Sequence, residues 1–196
     1  MTEFMLSAKV NNIEMNFKTS NEVFSPQGID PGTLAMLSII DFHADDKVLD
    51  LGCGYGIVGV LAAKIIGESN VVMTDKDGEA IELAKQNSML NGVGGVKIYQ
   101  SDGFKDLNEK NFTLILSNPP YHVDFNVPKE FIEKGFNRLA LGGKMYMVTK
   151  RKEWYKNKLI SIFGGVKITE IEGYYVFMAV KKDNKYSKVK AKELKK

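Results

Sequence analysis

Residue types that build disulfide and metal sites are scarce in this chain of 196 residues. Cys53 is its one cysteine, so an internal disulfide and a multi-cysteine zinc site are both excluded. His43 and His122 are its two histidines, which leaves little material for a metal cluster, and we expect no bound metal. This cysteine usage fits a cytoplasmic protein, which is the location we expect.

Long apolar runs are also missing. No stretch approaches the roughly 20 apolar residues that span a bilayer. The first 17 residues contain no basic segment followed by a long apolar core, as a signal peptide would. We therefore expect no membrane partner. Hydrophobic residues at 44% and charged residues at 26% are typical of a globular chain and argue against wholesale disorder.

The net charge of +3 conceals an uneven distribution. Residues 181–196 carry eight lysines against Asp183 and Glu193, a net of +6, which leaves −3 on the other 180 residues. We interpret residues 183–196 as a basic tail that follows a single domain at 1–182. A lysine-rich tail often contacts nucleic acid, and a solvated, partly frayed terminus is the alternative.

Short apolar runs alternate with helical patterns along the predicted core, residues 46–182. Strands are predicted at 48–51, 71–73, 96–100, 112–117, 144–149, 166–171 and 174–180. Helices are predicted at 57–66, from the Asp77 cap to about 90, at 128–139 (closed by Gly142 and Gly143) and at 153–162. This order predicts an α/β fold with a doubly wound, mostly parallel sheet of seven strands and an antiparallel C-terminal strand. Residues 1–45 are expected to add a hairpin around 13–24 and a helix over 32–40.

The first candidate site is the glycine loop Asp50-Leu-Gly-Cys-Gly-Tyr-Gly56, directly after the first core strand. Glycines at 52, 54 and 56 allow a tight turn and let a ligand approach the backbone. The next helix directs its N-terminus at the same place. Residues 54–59 also satisfy the dinucleotide fingerprint, so this spacing leaves a nicotinamide cofactor open. A plain strand-to-helix turn is the further alternative.

Two aspartates end the next two strands. Asp75 lies about 20 residues after the loop, where a carboxylate can accept both ribose hydroxyls of a nucleotide cofactor. Asp102 follows the third core strand and can accept a hydrogen bond from an exocyclic adenine amine. Strand-end or capping chemistry is the alternative for each aspartate. Because ligands bind outside the carboxyl ends of parallel strands, we expect both side chains at one site.

The second motif, Asn118-Pro119-Pro120-Tyr121, follows the fourth core strand. Prolines stiffen the turn, so the Asn118 oxygen and the Pro119 carbonyl offer two fixed acceptors for an NH₂ group on a planar ring or amide. Such acceptors stabilise the positive charge that develops on this nitrogen when it acts as a nucleophile. Tyr121 offers a flat face for stacking. An ordinary turn is the alternative.

Together the glycine loop and the Asn-Pro-Pro-Tyr motif resemble the amino-methyltransferase branch of the class I methyltransferases, which have a Rossmann-like fold. The resemblance implies S-adenosylmethionine as the cofactor and Asn118, Pro119 and Tyr121 as catalytic residues. It implies that the cofactor is held by Asp50, Gly52, Cys53, Gly54, Gly56, Asp75, Lys76, Asp102, Gly103 and Asn118. Targets in this branch are exocyclic amines of nucleobases or the side-chain amide of protein glutamine.

Further segments narrow the resemblance to the "methyltransferase small" family, which includes guanine-N2 methyltransferases of small-subunit ribosomal RNA. These segments are Phe17-Lys-Thr-Ser-Asn-Glu-Val-Phe-Ser25, Asp30-Pro-Gly-Thr33 and the histidine after the Asn-Pro-Pro-Tyr motif. The resemblance covers roughly residues 13–180. In members with two similar halves it corresponds to the catalytic half alone, which leaves the precise substrate open.

On this basis the expected function is methylation of guanine N2 in small-subunit ribosomal RNA, with RNA as the partner. Expected substrate contacts are Phe24, Pro120, Tyr121, His122, Lys150 and Arg151. Methylation of adenine N6 or of protein glutamine is the alternative within the same chemistry. A cofactor-binding RNA assembly factor with little turnover is the alternative from another class.

Overall fold

The computed structural model describes residues 3–23, 25–120 and 124–187. The strands in these ranges are β1 (Glu3–Val10), β2 (Ile13–Ser20), β3 (Val48–Leu51), β4 (Val71–Asp75), β5 (Lys97–Gln100), β6 (Phe112–Ser117), β7 (Leu139–Thr149), β8 (Lys167–Ile171) and β9 (Tyr174–Val180). The α-helices are α1 (Pro31–Leu37), α2 (Ile57–Ile66), α3 (Gly78–Leu90), α4 (Asn126–Arg138) and α5 (Lys152–Phe163).

Seven strands form one sheet in the order β5-β4-β3-β6-β7-β9-β8. Neighbours from β5 to β7 pair in parallel, whereas β9 is antiparallel to both β7 and β8. The predicted fold class, with its antiparallel C-terminal strand, is confirmed. Strand order reverses between β3 and β6, so a crevice opens at the carboxyl ends of these two strands.

The sheet separates two apolar layers. Successive residues of β3 alternate between them, since Val48 packs with the layer of α2 and α3 while Leu49 packs with the layer of α4 and α5. All four residues of β3 are buried, which explains why this strand is a continuous apolar run interrupted only by Asp50. The hairpin of β1 and β2 packs on the first layer through Met15 and Phe17. The hairpin therefore lies on the same side as the helix that follows the glycine loop.

The N-terminal elements differ from the prediction. β1 and β2 pair from Glu3 with Ser20 to Val10 with Ile13, so the expectation of a hairpin around residues 13–24 was wrong in position. Its turn is Asn11-Asn12, with φ of 50° and 64°, because asparagine tolerates the left-handed backbone that a two-residue hairpin turn requires. The helix expected over 32–40 is α1, which ends earlier, at Leu37.

The junction between α4 and β7 was also predicted wrongly. Helix α4 ends at Arg138, so Gly142 and Gly143 lie inside β7 and do not close a helix. The N–H of Gly142 donates to the carbonyl of Lys181, whose own N–H donates to the carbonyl of Gly143. A Cβ on Gly143 would lie 2.8 Å from the carbonyl oxygen of Phe112. The glycine there permits a close strand approach.

Part of the basic C-terminal segment packs on the domain. The Tyr186 hydroxyl donates to the carbonyl of Glu133 at 3.0 Å, and the N–H of Ser187 donates to the carbonyl of Ile162 at 2.9 Å. The Tyr186 ring also meets that of Phe136 edge to face. The segment 183–187 is therefore anchored, whereas residues 188–196 lie outside the described residues.

No helix within the described ranges has both the length and the apolar character needed to cross a membrane. The same part of the chain contains no group of three or more His, Cys, Asp or Glu side chains placed to hold a metal ion. The sequence motifs that follow β3 and β6 meet at the carboxyl edge of the sheet, because these two strands pair in parallel.

Candidate active site

The glycine loop turns back onto β4. The N–H groups of Gly52 and Cys53 both donate to the carbonyl of Thr74, at 2.8 and 2.9 Å. Gly52, Gly54 and Gly56 have φ of 76°, 53° and 99°, a left-handed backbone that residues with a Cβ rarely adopt. This turn brings the start of α2 to the carboxyl ends of β3 and β4.

Glycines of the loop have different environments. A Cβ on Gly54 would meet no atom within 4 Å, so the backbone there stays open to a ligand. A Cβ on Gly56 would touch the backbone of Ala84 at 3.4 Å, and one on Gly59 would lie 2.4 Å from the Met73 side chain. Gly56 thus permits close packing on α3 and Gly59 permits close packing of α2 on β4, which accounts for the dinucleotide-like spacing without a dinucleotide.

Asp50 fixes the loop through a hydrogen bond to the start of α2. Its side chain is 3% exposed, and Oδ2 accepts a hydrogen bond from the N–H of Gly59 at 2.9 Å. Burial raises the pKa of Asp50 to about 7; the Gly59 hydrogen bond opposes this rise and the nearby Asp75 adds to it. The carboxyl group ties the end of β3 to the first turn of α2.

Asp75 holds both the loop and the start of α3. Its Oδ2 accepts from the N–H of Gly54 at 2.8 Å, and its Oδ1 accepts from the N–H of Asp77 at 3.1 Å. The residue is half-buried at the end of β4. A carboxylate oxygen has two lone pairs, so each oxygen can also accept from a hydroxyl group.

Asp102 and Gly103 form the side of the site beyond β5. Asp102 is exposed and pairs with Lys105, an interaction that lowers the pKa of the Asp102 carboxyl group. A Cβ on Gly103, which has φ of 63°, would lie 3.3 Å from the Phe131 ring. The same ring is 3.9 Å from a Cβ built on Gly52. Phe131, from α4, therefore lies against both glycine turns.

Asn118 follows β6 and reaches across to the N-terminus of α1. Its Nδ2 donates to Asp30 Oδ1 at 2.7 Å and to Thr33 Oγ1 at 2.9 Å. Its Oδ1 is buried and has no hydrogen-bond partner among the described residues. A buried acceptor without a partner is costly, so this oxygen identifies a place where a donor is needed.

These side chains border one cavity of about 270 Å³ at the carboxyl ends of the strands. Of the predicted site residues, those lining it are Asp50, Gly52, Cys53, Gly54, Gly56, Asp75, Lys76, Asp102, Gly103, Asn118 and Pro120. Pro119 is buried and does not line it, while Phe24, Tyr121 and His122 lie outside the described residues. The cavity thus unites every residue predicted to hold a cofactor.

Cys53 has a structural environment. The residue is 9% exposed, and its Sγ–H donates weakly to the carbonyl of Gly54 at 3.4 Å. Burial first, and then the nearby carboxyl groups of Asp50 and Asp75, raise the pKa of the thiol well above its ordinary value. The thiol stays protonated at neutral pH and is a poor nucleophile.

Sequence reasoning missed Tyr55 as a site residue. Its hydroxyl lies 3.3 Å from the carbonyls of both Ser25 and Gly28, and its ring meets that of Phe17 edge to face. Burial raises the pKa of Tyr55 to about 12, so the hydroxyl remains a donor. An aromatic residue inside a glycine loop was the available signal. The Tyr55 hydroxyl bonds hold the segment that follows β2 beside the cavity.

Cations near the end of β7 rest on aromatic rings. The Lys150 Nζ lies 4.7 Å from the Tyr174 ring centre, and the Arg151 guanidinium lies 4.9 Å from the Phe125 ring centre. Phe125 in turn stacks on Trp154 at 4.6 Å. Lys150 and Arg151 do not line the cavity, although β7 ends at the same edge of the sheet as β6. These cations form part of the surface around the site.

Comparison with known proteins identifies the family. The profile of the methyltransferase small domain matches residues 14–178. The uncharacterized protein YbxB of Bacillus subtilis is 31% identical, over 89% of this chain and 90% of its own length. Ribosomal RNA small subunit methyltransferase C of Serratia proteamaculans is 30% identical, over 89% of this chain and 52% of its own length.

A similar solved structure is the Thermus thermophilus 16S rRNA N2 G1207 methyltransferase (RsmC) in complex with AdoMet and guanosine. It matches with a TM-score of 0.83 and 27% identity, over 92% of this chain and 51% of its own. This chain therefore spans about half the length of the ribosomal RNA methyltransferases that it resembles, but most of YbxB. The chain belongs to the methyltransferase small domain family and is an S-adenosylmethionine-dependent methyltransferase.

Proposed function

We propose that this methyltransferase modifies the exocyclic N2 amine of a guanine in small-subunit ribosomal RNA. The observation that carries the proposal is the amide oxygen of Asn118, which is buried and lacks a hydrogen-bond partner in the described part of the chain. An acceptor fixed at the edge of a cavity suits a substrate that brings an N–H group. The named activity of the Serratia and Thermus relatives supplies the substrate class.

Residues around the cavity suit S-adenosylmethionine, which when bound supplies an electrophilic methyl group. Gly54 leaves its backbone open to a ligand, and the Asp75 oxygens keep lone pairs for the ribose hydroxyls. The exposed Asp102 carboxylate can accept a hydrogen bond from the adenine amine once it gives up its ion pair with Lys105. We assign cofactor binding to Asp50, Gly52, Cys53, Gly54, Gly56, Asp75, Lys76, Asp102, Gly103 and Asn118.

Chemistry at the acceptor nitrogen depends on Asn118 and Pro119 in this proposal. The lone pair of an exocyclic amine is delocalised into the ring, so the nitrogen is a weak nucleophile and becomes positive as it is methylated. The Asn118 Oδ1 accepts one of its hydrogens and stabilises that charge. The Pro119 carbonyl is the second acceptor that the sequence suggests, and its role stays a prediction because Pro119 does not line the cavity. The surplus proton leaves afterwards to water, so no strong general base is required.

Lys150 and Arg151 are proposed to contact the RNA backbone. Both are exposed and follow β7, at the edge of the sheet where the cavity opens. Stacking on Tyr174 and Phe125 limits the freedom of the two cations without neutralising them. Such cations position a nucleic acid through its phosphates and carry no sequence information. Substrate contacts through Phe24, Pro120, Tyr121 and His122 stay predictions.

The test uses cofactor tritiated on its methyl group, with three acceptors offered separately. These are isolated small ribosomal subunits, protein-free small-subunit RNA and a peptide-chain release factor. We expect label in the RNA, released as N2-methylguanosine after digestion to nucleosides, and incorporation slower by a factor of roughly 100 or more with the Asn118→Ala variant. Label in N6-methyladenosine would show that the target is adenine and not guanine. Label in the release factor would show that the target is protein glutamine. Absence of label from all three acceptors would favour an assembly factor.

A further inference from the structure

Asp30 and Thr33, from the motif Asp30-Pro-Gly-Thr33, line the same cavity without a role in the proposed cofactor set, and both side chains contact Asn118. We propose that Asp30 and Thr33 are positioning residues that fix the Asn118 amide with its oxygen, and not its NH₂ group, toward the substrate. The proposal rests on the proposed role of Asn118 as acceptor for an amine. Under this proposal, the N-terminal segment that precedes the core belongs to the catalytic machinery.

The chemistry of the three side chains determines the orientation of the amide. A carboxylate has acceptors only, so the atom of Asn118 that faces Asp30 Oδ1 at 2.7 Å must be the NH₂ nitrogen. The second hydrogen of that nitrogen goes to Thr33 Oγ1 at 2.9 Å. A flipped amide would place its oxygen against the carboxylate and present two donors to an incoming amine. Acceptance of an N–H donor therefore depends on these two bonds.

Both partners of Asn118 are themselves fixed. Asp30 and Thr33 are each 8% exposed, and Asp30 Oδ1 caps α1 by accepting from the N–H of Thr33 at 3.0 Å. Pro31 begins the helix with a preset φ. A Cβ on Gly32 would lie 2.7 Å from the Tyr174 ring, so only glycine lets β9 pack this closely on the helix start. The cap thus holds the two acceptors in one place.

An electrostatic effect should accompany the positioning. The Asp30 carboxylate draws the Asn118 N–H bonds toward itself, which increases the electron density on the amide oxygen. That oxygen is the atom at which positive charge on the substrate nitrogen would be stabilised. Loss of either partner should consequently lower kcat, with little effect on the Kd of the cofactor.

A double-mutant cycle tests the positioning. We expect Thr33→Val, which keeps the shape and removes the hydroxyl, to lower kcat about 10-fold, and Thr33→Ser to stay within about 2-fold of the wild type. In an Asn118→Ala background, Thr33→Val should cause no further loss, because Thr33 acts only through Asn118. The matched control is Thr113→Val, which breaks a threonine hydroxyl bond to Asp46 away from the cavity and should leave kcat unchanged.

A second measurement is independent of turnover. The side-chain amide signal of Asn118 is identified by its loss from the ¹⁵N spectrum of Asn118→Ala. It should shift in Thr33→Val and in Asp30→Asn but not in Thr113→Val. An unchanged signal in Thr33→Val, or additive losses of kcat in the cycle, would overturn the positioning role. Wild-type turnover in Asn118→Ala would instead overturn the proposed function, so the two failures are distinguishable.

Discussion

Asn87 and Lys18 are joined by two hydrogen bonds between a helix side chain and a strand backbone. The Asn87 Oδ1 accepts from the N–H of Lys18 at 2.6 Å, and its Nδ2 donates to the Lys18 carbonyl at 2.8 Å. The same Nδ2 also donates to the carbonyl of Tyr55 at 2.8 Å. One fully buried amide therefore connects α3 with the N-terminal hairpin and the glycine loop.

Replacement of Asn87 by alanine should destabilise the fold. The change leaves backbone groups of Lys18 and Tyr55 without their partner in a buried place, so we expect the free energy of unfolding to fall by about 2–3 kcal/mol. Urea unfolding measures the loss. The control is Gln86→Ala on the same helix, which removes a single half-buried contact to Lys18 and should cost less than about 0.5 kcal/mol. Equal losses in both variants would contradict the role of Asn87.

Replacement of Asn118 by alanine should separate catalysis from cofactor binding. We expect turnover to fall by a factor of roughly 100 or more, as when a transition-state acceptor is lost. Cofactor affinity, measured by calorimetry, should stay within a few-fold of the wild type. Asn108→Ala, an exposed asparagine away from the cavity, should change neither value. A parallel loss of affinity and turnover would count against this assignment.

Replacement of Asp75 by alanine should weaken cofactor binding first. The variant loses the acceptors proposed for ribose and also releases the N–H groups of Gly54 and Asp77. Titration with S-adenosylmethionine should show a higher Kd even where the enzyme still turns over at saturating cofactor. Asp106→Ala provides a matched change at an exposed aspartate that does not line the cavity. Unchanged cofactor affinity would show that Asp75 does not bind the cofactor.

Asp50 should make stability depend on pH. Its pKa is about 7 in the folded protein against an ordinary value of 3.8, chiefly because of burial. The folded chain therefore binds a proton that the unfolded chain has lost between about pH 4 and 7. The raised pKa contributes roughly 4 kcal/mol to the free energy of unfolding. This contribution is fully present below pH 4 and is lost as the pH rises through 7.

The variant Asp50→Asn provides the comparison, because it is uncharged at every pH and keeps an acceptor for the N–H of Gly59. Relative to the wild type, it should gain up to roughly 3 kcal/mol in unfolding free energy between pH 5 and pH 8. Denaturant unfolding across that range measures the difference. A difference that does not vary with pH would show that Asp50 is ionised in the folded state throughout.

Removal of residues 188–196 should weaken RNA binding. This segment carries five lysines and one glutamate, and its removal leaves the anchored residues 183–187 in place. We expect lower RNA affinity and a flatter dependence of affinity on salt, because fewer counterions are released from the RNA. Filter binding at several salt concentrations gives the slope. If the slope were the same in the truncated chain, the tail would have no part in binding.

The secondary structure was predictable where local signals agreed. α2 occupies residues 57–66 as predicted, because Gly56 and Gly67 border a run of apolar residues. The boundary between α4 and β7 was not predictable, since Gly142 and Gly143 resemble a helix stop and only pairing with the end of β9 shows their role. The hairpin was misplaced because the Asn11-Asn12 turn depends on a backbone conformation that many asparagines do not adopt.

The site was predictable to the extent that strand ends determine it. Asp75 and Asn118 follow strands, and parallel pairing brings such residues to one edge of the sheet. Asp30 and Thr33 reach the same place through hydrogen bonds to Asn118 across 88 and 85 residues. No local sequence pattern predicts a contact between residues so far apart in the chain. The hydrogen bonds of the Tyr55 hydroxyl could not be predicted for the same reason.

The hydrogen bonds that Asp75 accepts from Gly54 and Asp77 have a thermodynamic consequence. The glycine loop is built from the residues with the most conformational freedom to lose. Because Asp75 already holds its backbone, that entropy is lost when the chain folds and not when a ligand arrives. Ligand affinity is then not reduced by the cost of ordering the loop. Association should accordingly be fast and show a small entropy penalty, as expected of a preorganised site.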